Sequence, residues 1–289
     1  MAHTRQPDIL AGFGPNERVL LERVPTRFLR QVAAAVVRTK MRLQFTGWLQ
    51  YVLPLIPTAA LAMLGGSVLL VGLPKVAAGV GIAAGGLLAV ALFDIVTVKL
   101  RIRPPEPRPA RRDTLDAFDL MRARRSCRSF QNGRLDHVDR EAVLASVQRH
   151  VAADTLGPAP IRLEYVHARV TVWPTVNATE FLVALAPLPY DRRSVIDVGR
   201  VLQKVVLDAT SRGLGTCWIG PGADHDSLKA HLGGRFDEER DQIICTCAIG
   251  YPSVFIPLFV RIFNRMFRQR APLSELFFAD PDLTVPLDV

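Results

Sequence analysis

Charge is missing from one long part of this 289-residue chain. Between Arg42 and Lys75 no side chain is charged, a run of about 30 residues and more than one bilayer crossing needs. Aromatic residues are also scarce, at 7%, so the 49% apolar fraction is built mostly from Ala, Val and Leu. Cysteine is limited to Cys127, Cys217, Cys245 and Cys247. Their spacing excludes a secreted disulfide framework, and a lone C-x-C without nearby histidines makes a poor zinc site. They are expected as buried thiols in a reducing compartment. The six histidines fall in no H-E-x-x-H or other ligand spacing, so no metal site is expected. Also lacking are a G-x-G-x-x-G after a strand pattern, a Walker-type loop and an internal repeat, which excludes the common dinucleotide and P-loop architectures.

What is present begins with basic charge. Lys and Arg outnumber Asp and Glu 36 to 27, a formal net charge of +9 that favours anionic partners. Nucleic acid is not expected among them, because no helix-turn-helix, zinc module or aromatic-studded strand accompanies the charge. A second apolar run, from Val76 to Val98, carries only Asp94. The short "VGLPK" between the runs suits a turn, so the pair reads as a helical hairpin entering and leaving on one side of a membrane. Arg27, Arg30, Arg38, Lys40 and Arg42 precede it, and Lys99, Arg101, Arg103, Arg108, Arg111 and Arg112 follow it. That places both flanks in the cytoplasm, in a two-span protein of the cell membrane. Trp48 and Tyr51 stand where an interfacial belt is expected, Pro54 and Pro57 are expected to kink or delay the first helix, and Gly81 and Gly85 have helix-packing spacing. Asp94 is expected to reach the interface.

The chain therefore divides into a basic helical arm (residues 1–42), a transmembrane hairpin (43–98), a Pro/Arg-rich linker (99–112) held near headgroups, and a cytoplasmic domain (113–289). In that domain Asp113 or Thr114 is expected to cap a helix. Further helices are expected at 139–151 and 192–212, with strands at 161–167, 180–186 and 243–249. Tyr190, Asp191 and Arg193 read as capping and solubilising residues of the second of these helices. The mixed order of elements argues for an α+β fold. The first helix runs into "RARRSCRSF", where Arg122, Arg124, Arg125 and Arg128 surround two serines and Cys127. Taken alone this is a solvated basic face, a lipid patch or a phosphate grip. The apolar and basic "VFIPLFVRIFNRMFRQR" from Val254 is expected on the bilayer interface or over a pocket.

The order of four pieces, "LMRARRSCRSF", "DVGRVLQKVVLDATSRGLGTCWIG", "CAIGYP" and "RQRAPLSELFF", resembles the nitroreductase family of flavoproteins over residues 113–278. The resemblance implies a nitroreductase-like mixed sheet flanked by helices, FMN at a homodimer interface, and NADH or NADPH as hydride donor. It also implies FMN contacts from Arg124, Arg125, Ser126 and Arg128, from Thr216, Cys217, Trp218, Ile219 and Gly220, and from Arg268 and Arg270 near the C-terminus. A guanidinium fork suits a phosphate dianion. No side-chain acid or base is implied, since flavin N5 carries the chemistry. Gly213 and Gly215 are expected at a helix end with positive φ. Pro221 cannot donate a backbone bond to the flavin. The family's Asn-bearing segment before its first core strand is replaced by "HVAADTLGPAPIRLEYV", and the helical insertion that shapes the substrate pocket has no counterpart. The acceptor implied is a small hydrophobic molecule such as a nitroaromatic or quinone. The alternative is a non-catalytic flavin-binding or partner-binding module on the membrane.

Overall fold

The computed structural model of the chain describes residues 10, 13, 15–153, 155–170, 172–220, 223–267, 275, 278–280 and 282–286, without the side chains of residues 15, 16 and 45. Its N-terminal part is helical: α1 (Pro15–Glu22), α2 (Arg27–Phe45), α3 (Leu49–Val52), α4 (Leu55–Leu70) and α5 (Pro74–Asp94), which runs on as a π-helical turn, Ile95–Lys99. Then come α6 (Ala117–Ala123), α7 (His137–Val151), β1 (Arg162–His167), β2 (Glu180–Pro187), α8 (Arg192–Ser211), β3 (Gly215–Ile219), α9 (His225–Leu232), β4 (Asp241–Gly250) and α10 (Leu258–Met266).

Two stretches, Leu49–Leu70 and Pro74–Lys99, are long and apolar enough to cross a membrane. Pro54 interrupts the first, following α3 and standing as N-cap of α4, as suits a residue without an N–H. The uncharged stretch before Leu49 is not part of this pair: the end of α2 and a turn occupy it. Where α4 lies against α5 the close approach is at Gly65, whose added Cβ would sit 3.5 Å from Val80 Cγ1. Gly81 and Gly85 have open space around them, so their spacing does not set this contact.

The hairpin is docked, not loosely tethered. Tyr51 is buried, away from any interfacial belt, and joins Val98, Val176 and Val260 in a small core between the hairpin's foot and the rest of the chain. Trp48 alone stays part-exposed, with Lys99 Nζ 4.8 Å from its ring. Asp94 turns inward instead of outward: its carboxylate accepts a 2.6 Å bond from the backbone N–H of Leu258, the first residue of α10. The Pro-rich stretch has no regular structure but is pinned: Arg103 and Glu106 form a buried ion pair at 3.0 Å, and Glu106 accepts from Ser253 Oγ and Val254 N.

Aspartates start four helices. Asp116, Asp136, Asp191 and Asp224 each accept a bond from the N–H three residues on, satisfying an otherwise orphaned donor. Asp116, and not Asp113 or Thr114, is thus the cap of α6, because the chain before it is still tied to the end of α8, where Arg112 N donates to Ser211 O. The four strands run antiparallel in the order β1-β2-β4-β3, and a parallel bridge from Ser126 to Thr216 makes the sheet mixed. Along β2, Leu182, Ala184 and Ala186 face α7 and α8, while Phe181, Val183 and Leu185 face a second core with α9. Both faces are covered, which explains why β2 reads as an unbroken apolar run. On α8, Val198, Val201, Leu202, Val205, Val206 and Ala209 form the helical stripe that covers one face.

Gly213 ends α8 with φ +76°, and a Cβ there would meet the Ala110 carbonyl oxygen at 2.5 Å. Gly213→Ala is expected to cost roughly 1–3 kcal/mol, read as a lowered Tm. Burial also holds the thiols protonated, pushing Cys127 from 9.0 up to about 12 and raising Cys217 and Cys247. A folded-state pKa above the unfolded one means that the unfolded chain loses protons first as pH rises. Stability is therefore expected to hold below about pH 9 and fall above it, by about 1.4 kcal/mol per pH unit for each such thiol. Melts between pH 8 and 10.5 check this, with the Cys127→Ala variant showing a shallower decline.

Candidate functional site

The arginine-rich segment after α6 crosses the structure in extended form, held on three sides. Cys127 N donates to Thr216 O at 2.8 Å, Val176 N to Arg128 O at 2.9 Å, and Ser253 N to Ser129 O at 2.9 Å. It can lie so close to β3 because residue 215 is glycine: a Cβ there would stand 2.6 Å from Cys127 Sγ. Gly215 thus serves close approach within a strand and has no positive φ, unlike Gly213.

This segment forms one wall of a cavity of about 240 Å³. Arg124, Arg125, Ser126 and Arg128 line it together with Gly215 and Asn264. Among the described residues no Asp or Glu lines it, so the local charge is uniformly positive. Arg128 is the most firmly held of the three arginines. Its Nη1 donates to Asn264 Oδ1 at 2.7 Å, and its guanidinium stands 5.0 Å from the centre of the Phe263 ring. Its Nε is buried with no hydrogen-bond partner among the described residues. A buried charged donor without an acceptor is costly and marks a place for an anionic ligand. Arg125 instead folds back onto the carbonyls of Arg122 and Arg124 at the end of α6. Arg122 is exposed beside Asp119, at 3.7 Å, outside the cavity.

The remaining expected contacts fare differently. Thr216, Cys217, Trp218, Ile219 and Gly220 are not among the residues lining the cavity. Cys217 and Ile219 are buried in one core and Trp218 packs against the other, because alternate strand residues point into the two cores. Gly220 lies just past the strand, with open space where a side chain would be. Arg268, Arg270 and Pro221 lie outside the described residues. Cys127, held protonated by burial, is a packing residue and not a nucleophile.

Asn264 is the residue that sequence reasoning misses. Its signal is nonetheless present: it falls four residues after Val260, so both occupy the inward face of α10, and a lone amide there needs a partner. The same helix answers the question of its apolar and basic segment in two ways. Phe259 and Phe263 pack with Trp173, with centroids at 6.1 and 5.8 Å, beside the cavity. Ile262 and Met266 remain exposed on the other side.

FMN, the cofactor that the resemblance implies, fits these residues in its charge. The unpartnered Arg128 Nε and the carboxylate-free wall suit a phosphate dianion or an anionic flavin edge.

Three solved structures are similar to part of the chain. A nitroreductase family protein from Clostridium difficile 630 is 22% identical, with a TM-score of 0.43, covering 57% of this chain and 99% of the other. A nitroreductase with bound FMN from Bacteroides fragilis is 18% identical, with a TM-score of 0.39, covering 48% and 89%. A nitroreductase with bound FMN from Desulfitobacterium hafniense is 17% identical, with a TM-score of 0.38, covering 48% and 90%. No curated protein matches the chain significantly. The family model described as "Putative TM nitroreductase" matches residues 116–283, from the cap of α6 to near the C-terminus, more than half of the chain. All of the residues lining the arginine-rich cavity except Arg112 fall within the matched region, and the chain belongs to the nitroreductase family, an oxidoreductase class.

Proposed function

We propose that this protein is a membrane-anchored, FMN-dependent oxidoreductase that takes hydride from NADH or NADPH and reduces a small hydrophobic acceptor such as a nitroaromatic or a quinone. The observation that carries the reading is Arg128, a guanidinium with a buried, unsatisfied donor in a wall without carboxylates, inside the family's matched region.

When bound, FMN supplies the hydride-accepting N5 atom. The residues of the chain do the holding. Arg124 and Ser126 offer a guanidinium and a hydroxyl to the phosphate, and Arg128, fixed by Asn264 and Phe263, offers a positive charge where negative charge develops. Phe263 and the neighbouring Trp173 and Phe259 lay a partly buried aromatic surface beside this guanidinium, which favours its fixed position. A second cavity, of about 270 Å³, lies among Phe93, Val98 and Val254 at the foot of the hairpin, and Ile256 lines both cavities. Asp94, Thr97 and Arg261 also line this second cavity, so it is amphipathic, and its shared wall at Ile256 supports an acceptor that approaches from the hairpin side.

The two long apolar helices and the arginines on both flanks support a two-span protein in the cell membrane with both ends and the family domain in the cytoplasm. Phe118 and Met121 are exposed on α6 directly before the arginine-rich segment, which supports a homodimer joined at this edge. The divisions at residues 42, 98 and 112 are part of the proposal.

A second reading, a flavin-binding or partner-binding module without turnover, is favoured by the position of β3, none of whose residues after Gly215 lines the cavity. Anaerobic addition of NADH or NADPH to the FMN-loaded chain in detergent separates the two. Bleaching of the flavin spectrum, restored by menadione or a nitroaromatic, is expected; a flavin that stays oxidised under both donors would leave the binding module. Alkaline carbonate is expected to leave the chain in the membrane pellet.

A further inference from the structure

At the hairpin's foot a separate cleft of about 120 Å³ opens between Thr46, Gly47 and Gln50 on one side and Asn132, Arg169, Val170, Val172 and residues 175–179 on the other. Lys99, Arg101 and Arg169 line it, and among the described residues no Asp or Glu does. The nearest hairpin acid, Asp94, is already committed to Leu258 N. Lys99 is engaged as well, donating to the Thr46 and Gly47 carbonyls at 2.9 and 3.3 Å. Arg101 and Arg169 are different: neither guanidinium donates a hydrogen bond to any described residue, nor forms an ion pair with one. Partial desolvation and the neighbouring Arg169 and Arg103 lower the pKa of Arg101; Arg103 has Glu106 as its counter-charge, whereas Arg101 and Arg169 have none among the described residues.

The cleft also holds an unsatisfied polar group. Asn132 carries a buried side-chain oxygen without a partner among the described residues; it is an acceptor, so it suits a hydroxyl donor of a ligand and not the phosphate oxygens themselves. Arg101 and Asn132 both have left-handed backbones, at φ 62° and 64°, which the fold maintains around the cleft. Depth supplies the last element of the argument. The cleft sits where α3 begins and the second apolar stretch ends, opposite the hairpin's tip at residues 71–73. In a hairpin that spans the bilayer this end lies at the level of the headgroups.

We propose that this cleft is a seat for a phosphate-bearing anion, and that the anion is the headgroup of an acidic phospholipid, gripped by Arg101 and Arg169 beside Lys99. The proposal rests on the membrane reading above. It is separate from the arginine-lined cavity near Arg128, with which it shares no residue. Its consequence is a preferred lipid at the joint between the hairpin and the family domain, because the cleft has one wall from each.

The test is native mass spectrometry of the full chain in detergent, titrated with palmitoyl-oleoyl phosphatidylglycerol, with the matching phosphatidylcholine, or with inorganic phosphate alone. The comparison variant is Arg101→Asn with Arg169→Gln; Asn tolerates the left-handed backbone at 101, and both side chains are exposed, so the fold is retained. Phosphatidylglycerol is expected to be held in preference to phosphatidylcholine, and its retention to fall about 25-fold in the double variant, from two cations each contributing about fivefold. Equal retention of both lipids, or an unchanged affinity in the variant, would overturn the proposal. Binding of inorganic phosphate with no retention of phosphatidylglycerol would overturn the lipid as its source. Carbonate extraction of the same preparations tells which premise failed: release from the membrane defeats the spanning hairpin, whereas a membrane-retained chain without lipid preference defeats the headgroup seat alone.

Discussion

Helix α10 is fixed at both ends, and the geometry around the arginine-lined cavity depends on it. At its start, the carboxylate of Asp94 reaches from the end of α5 to the Leu258 N–H, a charge-assisted bond at a helix N-terminus. Near its end, Asn264 holds Arg128. Between them Val260 is fully buried in the small core that Tyr51 and Val98 share. One short helix thus touches both the apolar hairpin and the Arg128 guanidinium in the cavity wall. The buried Arg103–Glu106 pair braces the approach to this helix, because Glu106 takes up the Val254 N–H and the Ser253 hydroxyl. Removing one partner of such a pair leaves a buried charge uncompensated, so each depends on the other.

The antiparallel sheet supports the arginine-rich segment from behind and reaches the cavity only at Gly215. Its two central strands, β2 and β4, are covered on both faces, which makes them a rigid base. The arginine-rich segment is laid against the edge strand β3 through Thr216, and Gly215 admits the bulk of Cys127. Backbone pairing on both sides of the segment fixes which side chains turn to the cavity. Ser129, the next serine along, donates to the Phe255 carbonyl at 2.7 Å, tying the segment to the loop before α10.

Much of this was legible in the residues. Strands β1, β2 and β4 showed as β-branched and apolar runs, and α8 showed as a stripe behind the cap Asp191, because both signals are local, whereas β3 was not expected as a strand. The paired apolar runs were legible for the same reason. Arg124, Ser126 and Arg128 were legible through the order of motifs. What escaped depends on contacts distant in sequence. Nothing near Asp94 announces that its partner is 164 residues away, and Tyr51 resembles an interfacial aromatic until Val176 and Val260 are seen to cover it. Gly215 reads as a turn glycine, yet its neighbour Cys127 explains it. The stretch from Thr216 to Ile219 was assigned to the site by motif, as a source of backbone groups; the side chains of Cys217, Trp218 and Ile219 themselves pack into the two cores, as strand alternation dictates.

The most direct measurement of the central claim is an FMN titration of the full chain in detergent, followed by quenching of flavin fluorescence, for the wild type and for Arg128→Ala. If Arg128 is the cation that receives the cofactor, the variant binds FMN about 10- to 100-fold more weakly at a temperature well below its Tm, the range expected for losing a charge-assisted bond. An unchanged dissociation constant, or a wild-type chain that binds no FMN, would contradict the account.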